Sequence, residues 1–100
     1  MIDGTYEFEI DTPMGRQSGR IGLRAEGDRA IADLDAPIIG KQHVEGQLEG
    51  DNGFSAQGSF SVFLMGTIDY TLSGSVDGVV LHASIKSSKA DFDIDGHRVG

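Results

Sequence analysis

The sequence predicts an all-β domain in which eight antiparallel strands form an up-and-down meander that closes into a small barrel. Three observations support this prediction. Hydrophobic residues recur at every second position, fifteen glycines are scattered along the chain, and short turn motifs separate the alternating segments. Alternation directs one set of side chains to a core and the other to solvent. A glycine inside a helix costs about 1 kcal/mol relative to alanine, so this composition disfavours helices.

The hydrophobic members of the alternation define the strands in order. They are Tyr6, Phe8 and Ile10 in the first strand, Ile21 and Leu23 in the second, Leu34 in the third, Val44 and Leu48 in the fourth, Phe54, Phe60, Val62 and Leu64 in the fifth, Ile68, Tyr70, Leu72 and Val76 in the sixth, Leu81 and Ile85 in the seventh, and Phe92 and Ile94 in the eighth. The third strand departs from the pattern because Ile31 and Leu34 have opposite parity. Either one of them points outward or a bulge intervenes.

Seven turns separate these strands. Six of them contain Gly, Pro, Asn or Asp, which accept the backbone angles of tight turns, and the seventh is "SSK" at Ser87–Lys89. Connections this short join antiparallel neighbours, because a parallel crossover needs a dozen or more residues. Closing the meander removes both unpaired edges and is therefore favoured over an open sheet. We interpret the 100-residue chain as one domain, 1–100, whose predicted strands cover residues 5–11, 16–25, 29–36, 41–49, 54–65, 67–76, 79–86 and 89–99.

Composition limits the function. Sixteen acidic residues against eight basic ones give a formal net charge of -8, which disfavours nucleic acids and anionic membranes as partners. Without cysteine the chain has no disulfide or thiolate metal site. The first ten residues, "MIDGTYEFEI", show neither a basic nor an apolar region of a signal peptide. We therefore expect a cytoplasmic protein.

The interior of the predicted barrel has two interpretations. Four glycines share the inward parity: Gly46, Gly58, Gly74 and Gly96. They either relieve crowding where strands bend or leave volume for a small apolar ligand, since eight-stranded barrels can hold one. If a ligand binds inside, the predicted contacts are Tyr6, Phe8, Phe60, Tyr70, Phe92 and Arg98.

Two short motifs carry a family resemblance. The opening "GTY" at Gly4–Tyr6 and the late "DGHRV" at Asp95–Val99 resemble the calycin superfamily of lipocalin-like barrels. Those proteins begin the first strand with Gly-x-Trp and place an arginine of the last strand across that ring. The resemblance puts Tyr6 in the position of the tryptophan. It also implies a cation–π contact with Arg98 that seals one end of the barrel.

A resemblance over almost the whole chain rests on "MIDGTYEFEIDTPMG", "GDNGFSAQGSF" and "YTLSGSVDG". These segments look like small, uncharacterised bacterial domains with repeated TPMG-type turns, which occur alone or attached to flavin-dependent reductases. A looser likeness is to small lipocalin-like regulators of type III secretion, which bind another protein. The resemblance implies a fold and a neighbourhood rather than catalysis, and the chain has no flavin or nicotinamide fingerprint.

No motif predicts catalysis or a cofactor. His43, His82 and His97 have outward parity, and only a tight final turn would bring His82 near Asp93. "DFDIDG" at Asp91–Gly96 resembles the start of an EF-hand calcium loop, but "EFEID" at Glu7–Asp11 repeats the same alternation. We therefore interpret both segments as strands. No metal site and no catalytic residue is predicted, and the protein is expected not to be an enzyme.

The outward charges predict two kinds of neighbour. Glu7 and Asp11 should face Arg20 and Arg16 across the first hairpin, which pairs opposite charges. Closure of the barrel would instead place acidic residues of the first strand beside those of the last. Lys86, Lys89 and Arg98 could screen this seam, a cation or basic partner could occupy it, the register could offset it, or a second subunit could close it.

Two functions follow from these features. The first is a binding barrel that holds a small apolar ligand. The alternative is a protein-interaction or accessory module, linked to a reductase or a secretion regulator, that uses its acidic outer surface or the outward Phe63, Met65 and Val80 to contact a partner or a second copy. An enzyme built on His82, Asp93 and His97 ranks last.

Overall fold

The structure is a computed structural model that describes residues 2–12, 15–37, 40–62, 66–88 and 91–100, with the side chains of residues 12, 60 and 62 left aside. The predicted fold class is confirmed: eight antiparallel strands form a meander that closes into a barrel. The described ranges contain no helix long and apolar enough to cross a membrane. The strands are β1 (Gly4–Thr12), β2 (Gly15–Glu26), β3 (Arg29–Ala36), β4 (Gly40–Glu49), β5 (Gly53–Val62), β6 (Gly66–Asp77), β7 (Val80–Ser87) and β8 (Asp91–Arg98).

Each strand pairs with the next along the chain, and β8 returns to pair with β1. The start of β1 and the end of β8 therefore lie at one end of the barrel, which we call the terminal end. The short turns at residues 27–28, 50–52 and 78–79 lie there too. Gly27 and Gly78 both have φ 64°, a conformation that L-residues with a side chain rarely adopt. The opposite end, where β1 joins β2 and β7 joins β8, is called the distal end.

The alternation predicted from the sequence builds the core. The predicted inward hydrophobic residues whose side chains are described are buried, apart from Leu48 and Phe92, which are half-buried against the cluster. Ile2 and the small residues Ala30, Ala32, Ala36 and Ala56 also join the core, although the sequence did not single them out. Three predicted core side chains lie outside the described ones: Phe60, Val62 and Leu64.

The inward glycines mark places where neighbouring strands come too close for a side chain. A β-carbon built at Gly74 would lie 2.5 Å from the His82 carbonyl oxygen, and one at Gly96 would lie 2.6 Å from that of Glu7. At Gly58 the obstacle is the Tyr70 ring, whose hydroxyl would be 2.6 Å away. At these three positions the atoms of a neighbouring strand or ring occupy the space of a side chain, which favours the interpretation that the glycines relieve crowding.

Ile31 is the outward member of the irregular pair in β3. The register of β3 with β2 and β4 is unbroken, so there is no bulge. Ile31 is nevertheless only 6% exposed. It pairs with Arg24 on one side and Glu45 on the other, and the alkyl parts of such long side chains can cover an outward apolar residue.

Candidate functional site

A plug formed by the two ends of the described chain fills the terminal end of the barrel. Ile2 and Tyr6 are fully buried there. The backbone N–H of Thr5 donates to the carbonyl oxygen of Gly100 at 3.1 Å, and Val99 N–H donates to Thr5 at 2.7 Å. The carboxylate of Asp3 accepts from Ala25 N–H at 3.1 Å. These bonds join the segments before β1 and after β8 to the wall.

Tyr6 and Arg98 form the centre of the plug. The guanidinium carbon lies 5.5 Å from the centroid of the Tyr6 ring, which confirms the predicted cation–π contact. Arg98 Nη2 also donates to the Tyr6 hydroxyl at 2.9 Å, and that hydroxyl donates to the carbonyl oxygen of Ile2 at 2.8 Å. A β-carbon at Gly4 would come within 2.8 Å of Arg98 Nε, so the guanidinium lies against a residue that has no side chain. The contact seals this end.

The inner surface near the distal end has a different character. Polar but uncharged side chains take inward positions close to the start or end of their strands: Gln17, Gln42, Tyr70 and Ser87. Between them lie the hydrophobic residues Ile10, Ala36, Ile68 and Phe92. Half of these residues are apolar and half are polar but uncharged, and small-molecule sites likewise combine apolar walls with a few polar groups. We call these eight residues the distal lining.

Gln17 is the residue of the distal lining that departs most from ordinary packing. It lies on β2 opposite Ile10 of β1 and has the inward parity of Ile21. Its side-chain oxygen Oε1 is buried and has no hydrogen-bond partner among the described residues. A buried, unpartnered acceptor costs about 1–3 kcal/mol. Gln17 is not among the residues predicted from the sequence, although its shared parity with Ile21 and Leu23 indicates an inward side chain.

The six predicted ligand contacts separate into groups along the barrel. Tyr6 and Arg98 form the plug, where their polar groups bind one another and Ile2. Phe8 packs in the core between Gly19 and Gly96, its two cross-strand partners. Tyr70 and Phe92 belong to the distal lining, while the side chain of Phe60 lies outside the described ones. Of the described contacts, only Tyr70 and Phe92 therefore lie in the distal lining.

Tyr70 gives the distal lining a measurable pH dependence. Burial raises the pKa of its hydroxyl, because the phenolate would lose hydration. The unfolded chain releases this proton near pH 10, and the native state releases it at higher pH. The stabilising contribution is therefore complete below about pH 10 and is lost as pH rises through the native pKa. In urea denaturation at several pH values, the free energy of unfolding should fall more steeply above pH 10 for the wild type than for Tyr70→Phe. Equal slopes would contradict this.

The ion pairs predicted across the first hairpin are confirmed. Arg20 Nη2 lies 2.8 Å from Glu7 Oε1, and Arg16 Nε lies 3.0 Å from Asp11 Oδ1. The seam between β1 and β8 is closed within the chain, so a second subunit is not needed to complete it. Glu9 faces Asp95 there, but Arg16 Nη1 binds Glu9 at 2.8 Å and His82 Nδ1 lies 2.9 Å from Asp95. Each of the two acids thus has a partner on the neighbouring strand away from the seam, Arg16 of β2 for Glu9 and His82 of β7 for Asp95.

Two expectations about the outer surface were wrong. Arg98 does not screen the seam, because it points into the plug. His82 pairs with Asp95 rather than with Asp93, because the connection between β7 and β8 is longer than a tight turn and shifts the register by two residues. Lys89 lies outside the described residues.

The remaining outer side chains give little support to a metal site. Both ring nitrogens of His43 are engaged, Nδ1 with Asp33 at 2.6 Å and Nε2 with Glu45 at 3.2 Å. Glu45 also binds Arg29. Within the described part of the chain, no group of three His, Cys, Asp or Glu side chains could hold a metal ion.

Comparison with known proteins adds one result. No protein-family model matches the chain, and no curated protein matches it. Its fold does match solved structures. The chain is similar to a redesigned β-barrel. This barrel, mFAP1, is described as bound to DFHBI, and it matches with a TM-score of 0.66 over 98% of this chain and 94% of its own. The sequences are 11% identical, so the likeness shows the fold alone.

Proposed function

We propose that the protein is a small, non-catalytic, calycin-like binding barrel of the cytoplasm that holds a small apolar molecule against its distal lining. The buried, unpartnered oxygen of Gln17 carries the proposal. Such an acceptor is rare in a finished core, because native structures pair almost all buried polar groups. A bound molecule that approaches from the distal end would supply the missing donor.

The rest of the barrel directs binding to that end. The terminal end is filled by Ile2, Tyr6 and Arg98, and the middle is filled where strands approach at the inward glycines. The similarity to a redesigned barrel described as bound to DFHBI supports the capacity of this architecture for a small ligand. Within the described part of the barrel, the distal lining is the region that combines apolar walls with uncharged polar groups.

The neutral fluorescent probe N-phenyl-1-naphthylamine tests this function. We expect saturable binding by the wild type. Ala36→Phe should weaken binding by about tenfold or more, because it places a large side chain in the distal lining at a cost of about 1.4 kcal/mol per tenfold. The matched control Ser59→Phe changes an exposed residue of β5 and should bind as the wild type does. Circular dichroism establishes that both variants are folded. Absent binding, or equal binding by both variants, would refute the proposal.

A second candidate is a protein-interaction module, for example an accessory to a flavin-dependent reductase or a regulator of secretion. Exposed hydrophobic residues at the terminal end favour it: Val79 is 57% exposed, and Val80 and Val99 lie beside it. The other outward residues considered for this role, Phe63 and Met65, lie outside the described residues. Native mass spectrometry of the purified protein separates the candidates, because a retained small molecule supports the binding barrel and a second copy or protein supports the module.

A further inference from the structure

The inner wall of the barrel is almost free of charge. Among the inward positions of the described strands, Arg98 is the one charged side chain, and it lies in the plug bound to Tyr6. No Asp, Glu, Lys or Arg among the described residues is buried. An ionised ligand at the distal lining would therefore leave water without meeting an opposite charge, which is strongly unfavourable.

The groups that are present can recognise a neutral molecule. Gln17 Oε1 is a hydrogen-bond acceptor without a donor among the described residues. The Tyr70 hydroxyl keeps its proton through the physiological range, because burial raises its pKa, and so adds no charge. Gln17 and Tyr70 lie on β2 and β6, which are opposite each other in the eight-stranded ring. A molecule that spans the distal end can touch both walls.

We propose that the ligand of the distal lining is an uncharged, largely apolar molecule whose N–H or O–H group donates to Gln17 Oε1. This inference rests on the proposed binding function and specifies its chemistry. Because Gln17 Oε1 accepts a hydrogen bond, the ligand must carry the donor. Because the inner wall at the distal end is uncharged, ligands with a carboxylate, sulfonate or ammonium group are excluded.

Three probes of closely similar shape separate these requirements. N-phenyl-1-naphthylamine is neutral and has an N–H donor. In 1-phenoxynaphthalene an ether oxygen replaces that donor, and 8-anilinonaphthalene-1-sulfonate keeps the donor but adds a negative charge. We expect the wild type to bind the first probe about tenfold more tightly than either of the others, measured by titration calorimetry or by competition.

Variants of two glutamines assign the preference to one atom. Gln17→Leu removes the acceptor and should abolish the preference for the amine over the ether, by weakening the first and strengthening the second. Gln57 is an exposed glutamine on the outer face of β5, so Gln57→Leu is a matched control that should keep the wild-type preference. If Gln17→Leu does not fold, Gln17→Met gives the same comparison with an unbranched side chain.

The outcomes distinguish this inference from the function on which it rests. Equal binding of amine and ether by the wild type, or an unchanged preference in the Gln17 variants, would overturn the donor requirement and leave a binding barrel. Tight binding of the sulfonate would overturn the exclusion of charge. If none of the three probes binds, both the inference and the proposed function fail.

Discussion

Tyr6→Ala is expected to lower the free energy of unfolding by about 3–5 kcal/mol, the usual cost of removing a buried aromatic ring. Tyr6 is 0% exposed and forms the floor of the core at the terminal end. Its loss would leave a cavity beneath Ile2 and remove the partner of the Arg98 guanidinium. Domains of this size are stable by about 5–15 kcal/mol, so one substitution would remove a large part of the total.

Urea denaturation followed by circular dichroism measures this loss, and two further variants divide it. Tyr6→Phe keeps the ring but removes the hydroxyl, which should cost about 1–3 kcal/mol because the Ile2 carbonyl oxygen and Arg98 lose their partner. Arg98→Met should cost about 0.5–2 kcal/mol through the cation–π contact. The double variant Tyr6→Phe/Arg98→Met should lose less stability than the sum of its two single variants, since both changes remove the hydrogen bond from Arg98 to the Tyr6 hydroxyl. A Tyr6→Ala protein within about 1 kcal/mol of the wild type would show that the plug does not stabilise the fold.

We expect Gly46→Ala to destabilise the fold and Gly22→Ala to stabilise it. A β-carbon at Gly46 would overlap the Ser55 carbonyl oxygen and approach Ala56 Cβ to 2.8 Å, so the backbone of β5 must move. Overpacking of this kind costs about 1–3 kcal/mol. Gly22 also lies within a strand, but a β-carbon there would meet no atom within 4 Å. Gly22→Ala should therefore stabilise by about 0.4–1 kcal/mol, because it restricts the unfolded chain.

Thermal and urea unfolding of these two variants give the comparison directly. Both substitutions replace glycine by alanine, so their effects on the free energy of the unfolded chain are nearly equal and cancel in the comparison. The sign of the difference then reports the space around each site. If Gly46→Ala is as stable as Gly22→Ala, the strands do not approach at Gly46 as described.

Alternation explains why so much of the architecture could be predicted. Each strand has one buried face, so the positions of Phe8, Ile10 and their counterparts define both the strands and their inner sides. Most strand bounds differ from the prediction by one or two residues. The contact between Tyr6 and Arg98 could also be predicted, because "GTY" and "DGHRV" resemble motifs of lipocalin-like barrels, and that resemblance implies an arginine across the aromatic ring.

The remaining features depend on distances that a sequence does not contain. His82 binds Asp95 because the register between β7 and β8 differs by two residues from the register that a tight turn would give. From the sequence alone, the inward glycines fit either a crowded interior or one with room for a ligand. The distance between Gly58 and the Tyr70 ring, which the sequence does not contain, distinguishes the two at that position. Gln17 shows its parity in the sequence, but only the packing around it reveals that its oxygen lacks a partner.

Closure of the barrel between its first and last strands has a consequence for how the protein folds. The hydrogen bond from Arg98 to Tyr6 joins residues 92 positions apart, and β1 and β8 can pair only after the strands between them are ordered. Non-local pairing of this kind carries a large loop-closure entropy, so folding should be slow, on the order of milliseconds to seconds. During synthesis, β1 has no second neighbour until β8 leaves the ribosome. Until then its edge is exposed to other chains, a hazard that the finished ring removes.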